Sequence, residues 1–280
     1  MKNVISASRR TDIPAFYWEW FLTQLKQGYV DVPNPMYPEK VYRVDLTPEN
    51  THSIVLWSKN MENILKNPGN LDSYNLYFQY TITGYNKLLE PHVPCYEKSM
   101  ETLSQMMKKY RAEQFNIRFD PIIISANGEQ YPMSDPKEAR LAMFNRLCKD
   151  LHDMGLDNCR LTTSMMAVYP HVEHRLETHP ANIHFMTAQE EVEFMREMSK
   201  VAENWNRDIY TCANDRFVAA GIERIKKGHC VDADVLTTLF GKTSKAKDRS
   251  QREECGCAKS RDIGLYTQKC AHNCAYCYVK

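Results

Sequence analysis

The residues best suited to chemistry are cysteines. The chain holds ten, and five of them, Cys255, Cys257, Cys270, Cys274 and Cys277, fall after residue 254. The run Cys270-Ala-His-Asn-Cys274-Ala-Tyr-Cys277 places three thiols on one tight loop. Soft thiolates at that spacing can each take one iron of a cubane [4Fe–4S] cluster. The fourth iron then has no ligand from the run and stays open to a small molecule. A single zinc ion is the competing reading, since Cys255 and Cys257 would help complete its set of four ligands. Zinc has no use for an aromatic residue just before the last cysteine, Tyr276, so the run reads better as an iron–sulfur loop. Cys212, Cys230, Cys255 and Cys257 form a second candidate set, either a fully ligated auxiliary cluster or a zinc site. Against it stands the habit of free cysteines, here Cys212 and Cys230, to pack as small hydrophobes. Cys95, Cys148 and Cys159 lie in helical or strand patterns and read as packing residues.

A second set of chemical groups recurs where strand-like runs end. Ser8-Arg9-Arg10-Thr11-Asp12 follows the first run and Ser58-Lys59-Asn60 the second. Gln79 and Thr81 lie in the third, and Arg118-Phe-Asp120 closes the fourth. In a parallel sheet of βα units these ends meet on one face, where active sites are built. Arg9, Arg10, Asp12, Lys59, Asn60, Gln79, Arg118 and Asp120 are therefore the expected catalytic and substrate-holding groups. Ser8, Arg10, Lys59, Thr81 and Asp120 are the expected cofactor-binding ones. Arginine forks take a carboxylate or phosphate in two bonds at once. The plainer alternative is that these charges pair among themselves and close the top of the fold. His171, His174, His179 and His184 read as a solvated surface, because no carboxylate or cysteine supplements them at ligand spacing.

Positioning these groups falls to a repeated pattern. Short apolar or β-branched runs at 4–7, 52–57, 75–83, 115–119, 159–165, 208–211 and 263–266 predict strands. Amphipathic stretches at 96–110, 136–154 and 189–205 predict helices, the last opened by a Thr187/Glu190 capping box. Repeated β-then-α units predict a parallel sheet covered by helices. A length of 280 residues favours a (β/α) barrel, complete or partial, over an open doubly wound sheet. No Gly-x-Gly-x-x-Gly or P-loop follows a strand-like run, which weakens the nucleotide-binding form of the open sheet. Residues 241–254 read as an exposed charged connector. They divide an expected barrel body, 1–240, from a connector and cysteine-rich tail, 241–280, packed on it.

Composition sets the outer limits. With 43% hydrophobic and 25% charged residues the chain reads as globular rather than disordered. The 36 basic against 35 acidic side chains leave a net charge of +1, so nothing general argues for nucleic acid or an anionic membrane. No apolar run approaches a membrane span, and the first residues carry no signal-peptide pattern. The expectation is a cytoplasmic protein with no membrane partner, whose clustered thiols serve metal or redox chemistry.

The cysteine run resembles that of the radical S-adenosylmethionine enzymes, and Cys274-Ala-Tyr-Cys277-Tyr278 is closest to the spore photoproduct lyase branch. The whole chain is similar to a bacterial and archaeal domain-of-unknown-function family with a C-terminal cysteine cluster. The residues that carry this are Ile5-Ser-Ala-Ser-Arg-Arg-Thr-Asp-Ile-Pro14, Trp57-Ser-Lys-Asn60, Phe78-Gln-Tyr-Thr-Ile-Thr-Gly-Tyr85 and Arg118-Phe-Asp-Pro121. Cys255-Gly-Cys-Ala-Lys-Ser-Arg-Asp-Ile-Gly-Leu-Tyr266 and the tail complete them. The resemblance implies iron–sulfur binding and a barrel related to the radical enzymes. It implies S-adenosylmethionine as cofactor, an unidentified substrate, and an electron donor such as a ferredoxin or flavodoxin. Likeness to the lyase also raises a nucleic-acid substrate, which the net charge does not support.

Two features depart from that superfamily. Its three cysteines follow the first barrel strand, whereas here they come late in the sequence. A circular permutation accounts for this, with 263–266 as the first barrel strand, the cluster loop next, and the old continuation starting at residue 1. Its Gly-Gly-Glu stretch, which holds the methionine amino group, has no counterpart here, and the polar strand ends would stand in. The alternative function is a non-radical metal or iron–sulfur protein with a structural, redox or ligand-binding role.

Overall fold

The apolar runs become strands because both of their faces have something to cover them. The computed structural model describes residues 2–34, 36, 37, 39–252 and 254–279. Its strands are β1 (Asn3–Ala7), β2 (Tyr29–Pro33), β3 (Val41–Asp45), β4 (Thr51–Ser58), β5 (Leu76–Thr81), β6 (Phe115–Arg118), β7 (Ile124–Ser125), β8 (Arg160–Thr163), β9 (Ile183–His184), β10 (Ile209–Thr211), β11 (Ile225–Lys227) and β12 (Arg261–Asp262). Its helices are α1 (Ile13–Phe16), α2 (Trp18–Gln27), α3 (Glu62–Lys66), α4 (Tyr96–Met106), α5 (Pro136–Asp153), α6 (Pro170–Glu177), α7 (Ala188–Asn204), α8 (Asp215–Ala219) and α9 (Ala233–Phe240).

Along β1, β4 and β5 alternate residues join different packed groups. Ile5, Ile54, Leu56, Leu76 and Phe78 belong to the main core with residues of α2, α4, α5 and α7. Val4, Val55 and Tyr77 point the other way, against Leu236 of α9 and the thiols Cys230, Cys255 and Cys257. Burial on both faces is the reason such strands read as unbroken apolar runs.

Eight strands form one sheet in the order β11-β10-β8-β6-β5-β4-β1-β12. Every pairing in it is parallel. From β1 to β11 each sheet strand lies beside the sheet strand before it in the chain. The late strand β12 pairs with the outer edge of β1, Ile5 opposite Arg261 and Ser6 opposite Asp262. The architecture is thus mixed α/β, with an eight-stranded parallel sheet and helices around it. β2 with β3, and β7 with β9, form small antiparallel pairs beside it.

The expected last strand at 263–266 is corrected to β12. The Ile263 N–H still donates to the Ser6 carbonyl at 3.0 Å, but the chain then leaves the sheet. At Gly264 it passes so close to Ser8 that a Cβ would stand 2.1 Å from the serine Oγ. β12, which comes after the charged connector, sits in the main sheet. Local caps fix the helix starts nearest the strand ends. Asp12 accepts from Ala15 N at α1, and Asp232 accepts from Asp234 N and Val235 N at α9. Among the described residues no helix is long and apolar enough to cross a membrane.

Candidate metal centres around a common cavity

A cavity of about 820 Å3 opens where the parallel strands end. Ser8, Arg9, Arg10, Asp12, Lys59, Thr81, Arg118 and Asp120 all line it. So do both cysteine sets, Cys270, Cys274 and Cys277 together with Cys212, Cys230, Cys255 and Cys257. Two expected site residues do not line it. Gln79 is fully buried beneath the floor, its Nε2 donating to the Cys230 carbonyl at 2.6 Å. Asn116 Nδ2 donates to Gln79 Oε1, and Thr162 Oγ1 donates to Asn116 Oδ1, so three strands share one chain of bonds. Asn60 turns away to start α3, accepting from Glu62 N at 3.0 Å.

The tail loop is held from all sides. His272 lies buried with Nε2 2.8 Å from Asp12 Oδ2 and Nδ1 3.2 Å from the His92 carbonyl. Asp12 also accepts from Ser58 Oγ at 2.7 Å and Lys59 N at 2.8 Å. The residue expected in catalysis is therefore a hub joining α1, the end of β4 and the tail. From α6, Arg175 donates to the carbonyls of Ala275 and Cys277, both at 2.7 Å. Asn273 takes a left-handed conformation, φ 58°, which turns the loop between Cys270 and Cys274.

The thiols of the loop meet a mixed field. Burial pushes Cys274 up to about 12, with the Lys59 ammonium pulling the other way. Burial also raises Cys270, while the backbone N–H groups of His272 and Asp12 bond its sulfur and favour thiolate. Lys59 Nζ is 2.7 Å from Glu90 Oε1, and Thr83 Oγ1 donates to Glu90 Oε2 at 2.7 Å. Tyr276, the aromatic of the cysteine run, donates its hydroxyl to the same carboxylate. Burial opposes the charge on Glu90, yet Lys59 and these bonds hold its carboxyl below the usual range.

The second cysteine set is the tighter one. The Sγ atoms of Cys212, Cys230 and Cys257 lie within 4.8 Å of one another and could hold a metal ion. Cys255 falls outside that group of three but lies near enough to Cys212 and Cys257 to share in their titration. Cys212 and Cys257 push Cys255 down toward thiolate, Cys212 and Cys230 push Cys257 down, and Cys230, Cys255 and Cys257 push Cys212 up. Among the described residues the tail thiols do not form a second group of that tightness. Nor do the four histidines. His171 Nε2 lies 3.2 Å from the Tyr278 carbonyl, His184 pairs with Glu190, and His174 is exposed on α6. Cys148 and Cys159 are buried as expected, whereas Cys95 is exposed at the start of α4.

The basic groups are partly neutralised. Arg118 pairs with Asp120 and donates from Nη1 to Cys230 Sγ at 3.1 Å. Ser164 donates to the other Asp120 oxygen. Arg9 and Arg118 flank the Trp57 ring at 5.5 and 5.6 Å. Among the described residues Arg9 Nη2 is buried without a partner. Arg10 donates to the Gly264 carbonyl and covers Tyr266.

Sequence reasoning missed Glu90, His272, Arg175 and Asp262. Asp262 accepts from Ser6 Oγ, Ser8 Oγ and Arg9 N, so it fixes the whole turn after β1. Its place in the run shared with the similar family was the only available signal.

A family model described as a domain of unknown function, DUF1848, matches residues 4–279. No curated protein matches the chain.

Proposed function

The chain belongs to the DUF1848 family, and from the thiols gathered around its cavity we propose that it is an iron–sulfur protein acting as a radical S-adenosylmethionine-like enzyme. The observation that carries the reading is one cavity of about 820 Å3 shared by Cys270, Cys274, Cys277 and the basic groups Arg9, Arg10 and Arg118. That volume lies in the range of small-molecule sites. The donors fit a [4Fe–4S] cluster with one open iron. Three thiols sit on a loop that the side chains of Asp12, Glu90 and Arg175 all grip through atoms other than sulfur. The bound cluster and S-adenosylmethionine would together supply the electron and the radical, chemistry no side chain provides.

The residues of the chain do the holding. Arg9, with its buried unpartnered Nη2, and Arg118 would take a carboxylate or phosphate beside the Trp57 face. Ser8, Thr81 and Asp120, which line the cavity, would bind hydroxyl or amine groups, and Lys59 with Glu90 fixes the tail aromatic. A sheet in which β12 stands outside β1 supports a circularly permuted barrel. The substrate is a small molecule, and an external donor of ferredoxin or flavodoxin type would reduce the centre. A net charge of +1 gives nucleic acid no support.

The test is anaerobic reconstitution with iron and sulfide, then reduction in the presence of S-adenosylmethionine. Release of 5′-deoxyadenosine is expected, and its loss when Cys270, Cys274 and Cys277 become Ala. One observation favours the non-radical reading: Lys59–Glu90, Arg9–Asp248, Arg10–Asp262 and Arg118–Asp120 pair within the protein. An intact cluster that releases no 5′-deoxyadenosine would select that reading.

A further inference from the structure

We infer that Cys212, Cys230, Cys255 and Cys257 bind a single tetrahedral divalent ion of the zinc class, which fastens the two ends of the eight-stranded sheet to each other. The inference is independent of the chemistry proposed for the tail loop. It starts from spacing. Four thiolates around one zinc at about 2.3 Å stand about 3.8 Å apart along each tetrahedral edge. Cys212, Cys230 and Cys257 already lie within 4.8 Å of one another, and Cys255, two residues before Cys257 and buried in the same packed group as Cys230 and Cys257, is the nearest further thiol to complete the set. A four-iron cubane holds its thiolates on the outer corners of a cube, farther apart than ligands that share one ion. The three thiols of Cys212, Cys230 and Cys257 are gathered around a point rather than around a cube.

The surroundings suit a doubly negative tetrathiolate. Arg118 Nη1 donates to Cys230 Sγ at 3.1 Å, and the Val231 N–H donates to Cys257 Sγ at 3.4 Å. Donors of this kind orient metal ligands and balance their charge. The backbone is fixed too, because Gln79 Nε2 holds the Cys230 carbonyl and Ala258 N donates to Val231 O at 2.9 Å. Gly256 lets the Cys255–Cys257 turn pass the His229 ring, since a Cβ there would stand 2.0 Å from Cε1.

The placement gives the ion a purpose. Cys212 follows β10, Cys230 follows β11, and Cys255 and Cys257 precede β12. β11 and β12 are the two ends of the sheet order. Ligands drawn from both ends would hold them together through one ion, and thiolate ligation of this kind couples directly to folding.

The experiment uses Co2+ as a spectroscopic stand-in for Zn2+ in the full chain with Cys270, Cys274 and Cys277 changed to Ala. Expected are the strong sulfur-to-cobalt charge-transfer bands and visible bands of a tetrahedral tetrathiolate, saturating at one ion and displaced by Zn2+. Cys257→Ser should lose the four-sulfur spectrum. Should either variant fold poorly, the unaltered chain gives the same answer by thiol alkylation under anaerobic conditions. Zn2+ should then protect Cys212, Cys230, Cys255 and Cys257 selectively. Six-coordinate cobalt bands, iron with inorganic sulfide bound by this set, or alkylation indifferent to Zn2+ would each overturn the assignment.

Discussion

At the scale of single residues, the tail loop depends on a carboxylate that carries no sequence signature. Glu90 is 2% exposed, faces Lys59 at 2.7 Å, and accepts from Thr83 and Tyr276. Removing one member of a buried pair leaves the other charge without compensation. Glu90→Ala is expected to lower stability by about 3 kcal/mol, the low end of the range because Lys59 keeps some access to solvent. Urea unfolding of the variant measures it, and Lys59→Met in the same background should recover part of the loss. A change no larger than that of an exposed ion pair, under about 1 kcal/mol, would show that Lys59 is simply solvated. What could be read from sequence at this scale were residues whose type alone suggests chemistry, the clustered thiols and the arginines at strand ends. Glu90 and His272 act through partners far away in the chain. Their roles exist only once β4, the turn before α4 and the tail have met.

At the scale of elements, the strands were legible because burial on both faces leaves an unbroken apolar run, as in 52–57, which lies inside β4 (Thr51–Ser58). β11 was not, since two of its three residues are exposed lysines and its pairing with β10 is made by the backbone. The short hairpin β2–β3 was hidden for a related reason, with only one buried residue in β3. α5 shows what an element can conceal even when its span is plain. Its Arg140 is buried between the rings of Tyr85 and Phe119, 4.3 and 4.0 Å from their centres, and bonds the Thr83 carbonyl. Opposite it lies Glu129, whose carboxyl burial pushes up to about 7, with Arg140 only partly offsetting this. The folded state thus keeps a proton that the unfolded chain releases near the ordinary value of 4.5. Stability should fall as pH rises from about 4.5 to about 7 and level off above that. Glu129→Gln should remove this slope, so that the variant gains on the parent across that window. Denaturation midpoints of both proteins over that range decide it. A difference between them that stays constant with pH would mean that Arg140 keeps Glu129 ionised throughout.

At the scale of the whole molecule, the main question is how a parallel sheet assembled mostly in chain order accepts a strand from the far end of the sequence. β12 contributes two residues of pairing to β1, less than any other interior edge of this sheet except that between β8 and β10. Most of what holds it is side-chain bonding, through Asp262 to Ser6, Ser8 and Arg9, and the thiol group just upstream. A centre that ties residues 212, 230, 255 and 257 should therefore govern the stability of this region more than that of the central strands. With a strong chelator, hydrogen exchange is expected to accelerate first at Val231, Ala258 and Ile263, whose N–H groups bridge the two ends or dock β12. The amides of β4 and β5, in the middle of the sheet, should keep their protection until global unfolding. Gly256→Ala should reproduce the pattern without chelator, because its new methyl group must displace His229 from the cysteine turn. His229→Ala in that background should restore protection by making room. Uniform loss of protection across the sheet on chelation would instead place the ion in global folding, with no special hold on β12.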